Sequence, residues 1–140
     1  MDANTKRDII LDHYSNPFNK ETKGEGYIKA NGNNISCIDD INIYIKINNN
    51  IIEEAYFDGE ACAISTSSTS IMLKNIIGKT VEEVFAFTNN FENMINEEEY
   101  DAESLKEAIV FNEIYKQQNR KGCATLPYAA LKKGIEKAKE

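Results

Sequence analysis

The chain has 140 residues, 41% apolar and 28% charged, the balance of an ordinary soluble globule able to bury a core without disulfides or metal as a folding aid. Its net charge of −7 argues against non-specific binding of nucleic acid or an anionic membrane, and no apolar run approaches the roughly 18 residues of a membrane span. Three cysteines, an odd number, in a chain whose start (MDANTKRDIILDHY) has no signal-peptide core, point to a reducing cytoplasm and to thiols that are free, metal-bound or reactive rather than paired.

Residues 1–140 read as one domain, without repeats or a low-complexity linker. Thr5 to Tyr14 places Ile9, Ile10 and His13 at helical spacing, and Asn16-Pro17 ends that helix because the residue before proline avoids the α region. Lys20 to Gly26 is a polar loop, and Tyr27 to Ile35 is a strand. Ile41, Ile43, Ile45 and Ile47 then alternate with polar residues at a period of two. Asn48-Asn49-Asn50 supplies a tight turn, and Ile51 to Phe57 returns as a strand, with Asp58-Gly59-Glu60 ending the sheet. From Ile64 the period is helical up to Gly78, although Ser65 to Ser70 carries only hydroxyl side chains, which compete for backbone hydrogen bonds. Those small side chains suit a helix face that closely approaches another backbone; the stretch lacks the glycine loop and lysine of a phosphate-binding P-loop. Thr80-Val81-Glu82-Glu83 is a capping box opening a helix through Phe87, and Phe91 to Tyr100, Ala102 to Gln118 and Ala124 to Lys139 read as further helices. The order of one helix, three strands and then helices predicts an α+β fold, a three-stranded antiparallel sheet with helices packed on it.

Each cysteine falls at a junction between predicted elements. Cys37, with Asp39 two residues on, lies between two strands; Cys62 lies between the hairpin and the serine-rich helix, and Cys123 just before the last helix. A thiol near a helix N-terminus meets free amide groups and the positive end of the dipole, which favour the thiolate. The separations, 25 from Cys37 to Cys62 and 61 from Cys62 to Cys123, contain no C-x-x-C pair. By spacing alone, three unrelated buried cysteines are as good a reading. The placement at loop ends and the carboxylate beside Cys37 favour a shared site. His13, a lone histidine on an amphipathic helix, reads as a packed or capping residue, and Glu97-Glu98-Glu99 as a solvated face.

Four segments, in order, resemble the NifU/IscU/SufU family and span nearly the whole chain: Asp12 to Lys20, Ser36-Cys37-Ile38-Asp39, Asp58 to Ser70, and Lys121-Gly122-Cys123-Ala124-Thr125-Leu126. Scaffolds of the IscU type carry histidine immediately before the third cysteine, where this chain has Gly122. That residue, the separation of 61 and the Cys-Ala-Thr-Leu run make the chain more similar to the SufU type. The resemblance implies a zinc-dependent sulfurtransferase that accepts persulfide sulfur from a SufS-type cysteine desulfurase for the downstream iron–sulfur assembly machinery. It implies Cys37, Asp39, Cys62 and Cys123 as zinc ligands, with the desulfurase supplying a ligand that frees Cys37 as the acceptor. Four ionised ligands around one zinc carry about −2 in formal charge. Arg120 and Lys121 stand next to Cys123 to offset it, Arg120 matching an arginine common there in SufU-like sequences, and Cys37 and Arg120 are the expected catalytic residues. The alternative within the family is a scaffold binding iron or a [2Fe–2S] cluster through the same four residues; a structural zinc module that binds a partner without transferring sulfur is a third reading. The chain departs from the family pattern around Ile35-Ser36, where a proline is replaced, and at Ile38 and Ala61, where glycines are replaced and backbone freedom beside a ligand is reduced.

Overall fold

The structure is a computed structural model that describes residues 1–34 and 37–139. Helix α1 (Ala3–Ser15) starts where the Asp2 side chain accepts from the Thr5 N–H and ends at Asn16, before Pro17. Strands β1 (Ile28–Asn33), β2 (Asp40–Asn48) and β3 (Ile51–Glu60) form an antiparallel sheet in the order β1-β2-β3. The far end of the predicted first strand, Ile35, lies outside the described residues, as does Ser36. Asn49 and Asn50 both take positive φ, the requirement of the two-residue turn that joins β2 to β3.

Alternation along β2 turns Ile41, Ile43 and Ile45 into the core, where Ile52, Ala55 and Phe57 of β3 join them. Each fully buried isoleucine or phenylalanine among them contributes about 1.5–3 kcal/mol. β3 continues through Asp58-Gly59-Glu60 rather than ending at Phe57, because those residues stay in register with Asn42, Ile41 and Asp40. Gly59 is required there. Its φ is +112°, and a β-carbon at that position would meet the Asp40 carbonyl oxygen.

Helices α2 (Ala63–Ile76), α3 (Val81–Ile95) and α4 (Gln118–Ala138) complete the core. The α+β architecture is the one expected. α3 opens on the expected capping box at Thr80 and Glu83, but it runs unbroken to Ile95 instead of stopping near Phe87 and restarting, because Val84, Phe87, Phe91, Met94 and Ile95 form one buried stripe. Glu97, at positive φ, turns the chain after it. The helix expected over residues 102–118 is instead two 3-10 segments, Glu103–Phe111 and Ile114–Lys116, the first broken at Lys106. The reason is the period. Leu105, Ala108, Phe111 and Ile114 are all buried and recur every three residues, the repeat of a 3-10 helix rather than an α-helix.

α4 also begins earlier than expected, at Gln118, and contains Pro127. Proline has no N–H, so the Cys123 carbonyl four residues back loses its usual in-helix donor. The serine face of α2 lies against this gap: Ser65 Oγ lies 3.0 Å from the Cys123 carbonyl oxygen, and Ser68 Oγ donates to the next carbonyl, that of Ala124, at 2.6 Å. Ser65 through Ser70 are all buried. Ser67 and Thr69 turn back to carbonyls of their own helix. On its other side α4 lies close over β1, where a β-carbon at Gly32 would sit 3.2 Å from that of Ala130. Lys133 and Lys137 donate to the Asn31 and Lys29 carbonyls of that edge strand.

Gly59→Ala combines a forbidden φ with a backbone clash, and is expected to cost at least ~2 kcal/mol in urea denaturation.

Candidate metal centre

Three structural units meet at one end of the sheet. The connection from β1 to β2 carries Cys37 and Asp39 and is folded on itself: the Cys37 N–H donates to the Asn34 carbonyl and the Asn34 N–H to the Asp39 carbonyl, both at 3.0 Å. Cys62 is the N-cap of α2, its Sγ accepting from the Ser65 N–H at 3.4 Å. Cys123, expected just before the last helix, sits on the second turn of α4 instead, because that helix starts at Gln118. It therefore receives no help from the α4 N-terminus. The helix-terminal reading holds for Cys62 alone.

The four expected ligands converge. One ligand atom each from Cys37, Asp39, Cys62 and Cys123 lies within 4.8 Å of the others. A tetrahedral zinc with bonds of about 2.3 Å needs its sulfur ligands about 3.8 Å apart, so these side chains require only a small contraction. The donor set fits as well. Three thiols and one carboxylate suit zinc, and thiolate-rich sites also suit iron–sulfur clusters.

Protein groups already hold Asp39. Its Oδ1 accepts from the Cys62 N–H at 2.8 Å, and Ser65 Oγ lies 2.5 Å from its Oδ2. Burial raises its pKa, but the hydrogen bonds from Ser65, Cys62 and Cys123 outweigh that, and the carboxyl is held below the ordinary carboxylate range. Cys123 behaves oppositely. Burial is the largest cause pushing its thiol well above the ordinary range, and the neighbouring Asp39 and Cys62 add to it. The Asn34 amide nitrogen stands 3.8 Å from Cys123 Sγ, where it can donate to the sulfur.

Access differs among the thiols. Cys123 is 1% exposed, whereas Cys37 and Cys62 are half-buried. Beside Cys37, Ile38 is 76% exposed. Arg120 is exposed on the first turn of α4 and Lys121 is half-buried beside it, so both stand on the helix that carries Cys123.

His13 is not part of the cluster. It is buried, with Nδ1 2.7 Å from Ser70 Oγ and Nε2 3.0 Å from Glu107 Oε1, packed as expected of a lone helix histidine. Sequence reasoning did not single out Ser65 or Asn34 individually. The available signal for Ser65 was its place three residues after an N-capping cysteine, on a helix face of unusually small polar residues. Among the described residues, no helix is long and apolar enough to cross a membrane.

Comparison with known proteins places this geometry in context. The NifU-like N-terminal domain family matches residues 5–140. The zinc-dependent sulfurtransferase SufU of Bacillus subtilis is 36% identical over 132 residues, covering 94% of this chain and 89% of that protein. The iron–sulfur cluster assembly scaffold protein IscU of Thermotoga maritima is 32% identical over 130 residues, covering 93% and 92%. Among solved structures, FiSufU of Fervidobacterium islandicum AW-1, described as a candidate iron–sulfur cluster assembly scaffold for the SUF system, superposes with a TM-score of 0.85 at 31% identity, covering 89% of this chain and 91% of that one.

Two outcomes follow from the site's chemistry. Every thiol that binds a metal must release its proton, so zinc affinity should fall as pH is lowered from about 8 to about 6.5, checked by competition with a chromophoric chelator. His13→Ala should lower stability by about 2–3 kcal/mol, because it opens space beside Ser70 and removes one of that hydroxyl's two partners, leaving the Phe18 N–H, while metal uptake per chain stays unchanged.

Proposed function

This chain belongs to the NifU-like N-terminal domain family, and on that premise we propose that it is a zinc-dependent sulfurtransferase serving iron–sulfur cluster assembly in the cytoplasm. Its sulfur donor is a SufS-type cysteine desulfurase, and residues 1–140 act as one domain. The observation that carries this reading is the convergence of three thiols and a carboxylate whose thiols differ in access, with Gly122 rather than histidine before the third cysteine. Cys37, Asp39, Cys62 and Cys123 would hold the zinc. Bound there, zinc keeps the thiols deprotonated and the site ordered until sulfur arrives.

The chain's own residues divide the work. Cys37 is the acceptor, because it lies on a loop and is half-buried, whereas Cys123 is enclosed and Cys62 is tied into the start of α2. Its thiolate attacks the outer sulfur of the partner's persulfide. A new S–S bond forms to Cys37, the partner's S–S bond breaks, and the partner cysteine leaves as a thiolate. No external oxidant or reductant is needed. Asp39, held as a carboxylate by Ser65 and Cys62, stays negative throughout. Arg120 is an exposed cation on the first turn of the helix that carries Cys123, and it is suited to meeting the anionic persulfide as it arrives.

A second reading has a specific observation in its favour. Relatives named as IscU scaffolds cover the chain almost as fully as SufU does. In that case a [2Fe–2S] cluster would be cargo assembled on the same four residues.

The two readings part in one experiment. The purified chain is incubated with a SufS-type desulfurase and cysteine, its metal content measured, and its peptides weighed. Sulfur transfer predicts about one zinc per chain, no visible chromophore, and an adduct of about 32 Da, one sulfur atom, on Cys37. Cys37→Ala should lose that adduct and reduce stimulation of the desulfurase at least ~10-fold. Stoichiometric iron with visible charge-transfer absorption would establish the scaffold reading instead, and full stimulation by Cys37→Ala would remove Cys37 as acceptor.

A further inference from the structure

The side chain that touches most of the four-residue cluster is not one of its members. Ser65 is fully buried. Its Oγ lies 2.5 Å from Asp39 Oδ2, 3.0 Å from the Cys123 carbonyl oxygen and 3.7 Å from Cys62 Sγ. Its backbone N–H donates to that same Cys62 sulfur at 3.4 Å. One residue on the first turn of α2 thus contacts three of the four candidate ligands.

A serine hydroxyl has a single proton to donate. Two acceptors stand within reach of it, and each has a reason to need it. The Cys123 carbonyl is buried on α4 and lacks its usual in-helix donor, because residue 127 is proline. Asp39 Oδ2 belongs to a buried carboxylate whose other oxygen is already taken by the Cys62 N–H. When the proton points to Asp39, two donors from the start of α2 fix both oxygens, and with them the plane of the carboxylate. The Cys123 carbonyl is the second acceptor within reach, so the buried proton has a partner in either orientation.

The geometry points to Ser65 as a positioning residue of the metal centre, one that orients Asp39 for ligation through a single oxygen and uses the Pro127-freed carbonyl of Cys123 as its alternative partner. This rests on the metal-centre reading above and extends it to a residue outside the ligand set. Hydrogen-bonding partners behind metal ligands typically govern affinity by about 10–100-fold.

The test uses zinc and cobalt alone, with no desulfurase. Ser65→Ala should weaken zinc binding about 10–100-fold in a chelator competition and change the visible absorption of the cobalt(II)-loaded protein, which reports ligand geometry. A purely structural role would act through the Cys123 carbonyl, and Pro127→Ala separates the two by returning an N–H donor to that carbonyl. In the Pro127→Ala background, which also protects the fold against an unpaired carbonyl, Ser65→Ala should still weaken zinc binding to the same extent. In an Asp39→Ala background it should cause no further loss.

Wild-type zinc affinity in Ser65→Ala, or a loss that vanishes in the Pro127→Ala background, would overturn the assignment while leaving the metal centre standing. Failure of the unaltered chain to take up zinc at all would overturn the metal-centre reading, and the role of Ser65 with it.

Discussion

Pro127 removes one backbone donor from the interior of α4, and the meeting of α2 with α4 is arranged around that loss. The carbonyl it frees is buried, and a buried carbonyl without a partner costs about 1–3 kcal/mol. Ser65 lies within hydrogen-bonding distance of it, and Ser68 bonds the next carbonyl along. Those contacts demand a helix face with no bulk, which is why Ser65 to Ser70 can be buried in a segment that looks too polar for a core. They also bring the first turn of α2 against the second turn of α4, so that Cys62 and Cys123 become neighbours across a separation of 61 residues in sequence.

The sheet delivers the other half of the cluster. β2 and β3 remain paired out to Asp40 and Glu60, with Gly59 absorbing a conformation that a larger residue would not accept. That pairing holds Asp39 at the head of β2 against the Cys62 N–H at the foot of β3. The result is a carboxylate fixed by α2 and a thiol carried on the neighbouring loop, two ligands of unequal freedom. Under the proposed sulfur-transfer reading, a centre that holds a metal and also releases one cysteine would benefit from that inequality, since a closed tetrahedral site with four equally rigid ligands would be structural only.

The segment between α3 and α4 follows a different rule from the helices that flank it. Its buried residues recur every three positions, and the 3-10 winding lays Leu105, Ala108, Phe111 and Ile114 against the core. Glu107 from this segment reaches His13 of α1, and His13 reaches Ser70 of α2. The lone histidine thus ties three elements together, with both ring nitrogens engaged away from the cysteines.

Much of this was legible before any coordinates. Period-two alternation in β2, the asparagine turn, the Thr80 capping box and Gly78 are local signals, and each acts over a few residues, so the strands, the hairpin and most helices follow from sequence alone. The candidate ligand set was legible for another reason: four short segments resembled a family in order, whereas the spacing of the cysteines by itself left separate buried thiols an equal reading. Helix boundaries were less accessible. α3 runs past Phe87 because tertiary burial carries the helix beyond its local stop signals, whereas α4 begins at Gln118, before Cys123, with a first turn that is largely exposed. By itself the sequence determined the fold class, the residues able to bind a metal, and the packing role of His13. Only the tertiary structure decided that those four side chains meet, that Cys123 is enclosed while Cys37 stays reachable, and that Ser65 stands between Asp39 and an orphaned carbonyl, because each of these depends on which backbone groups lie opposite one another once distant segments have packed.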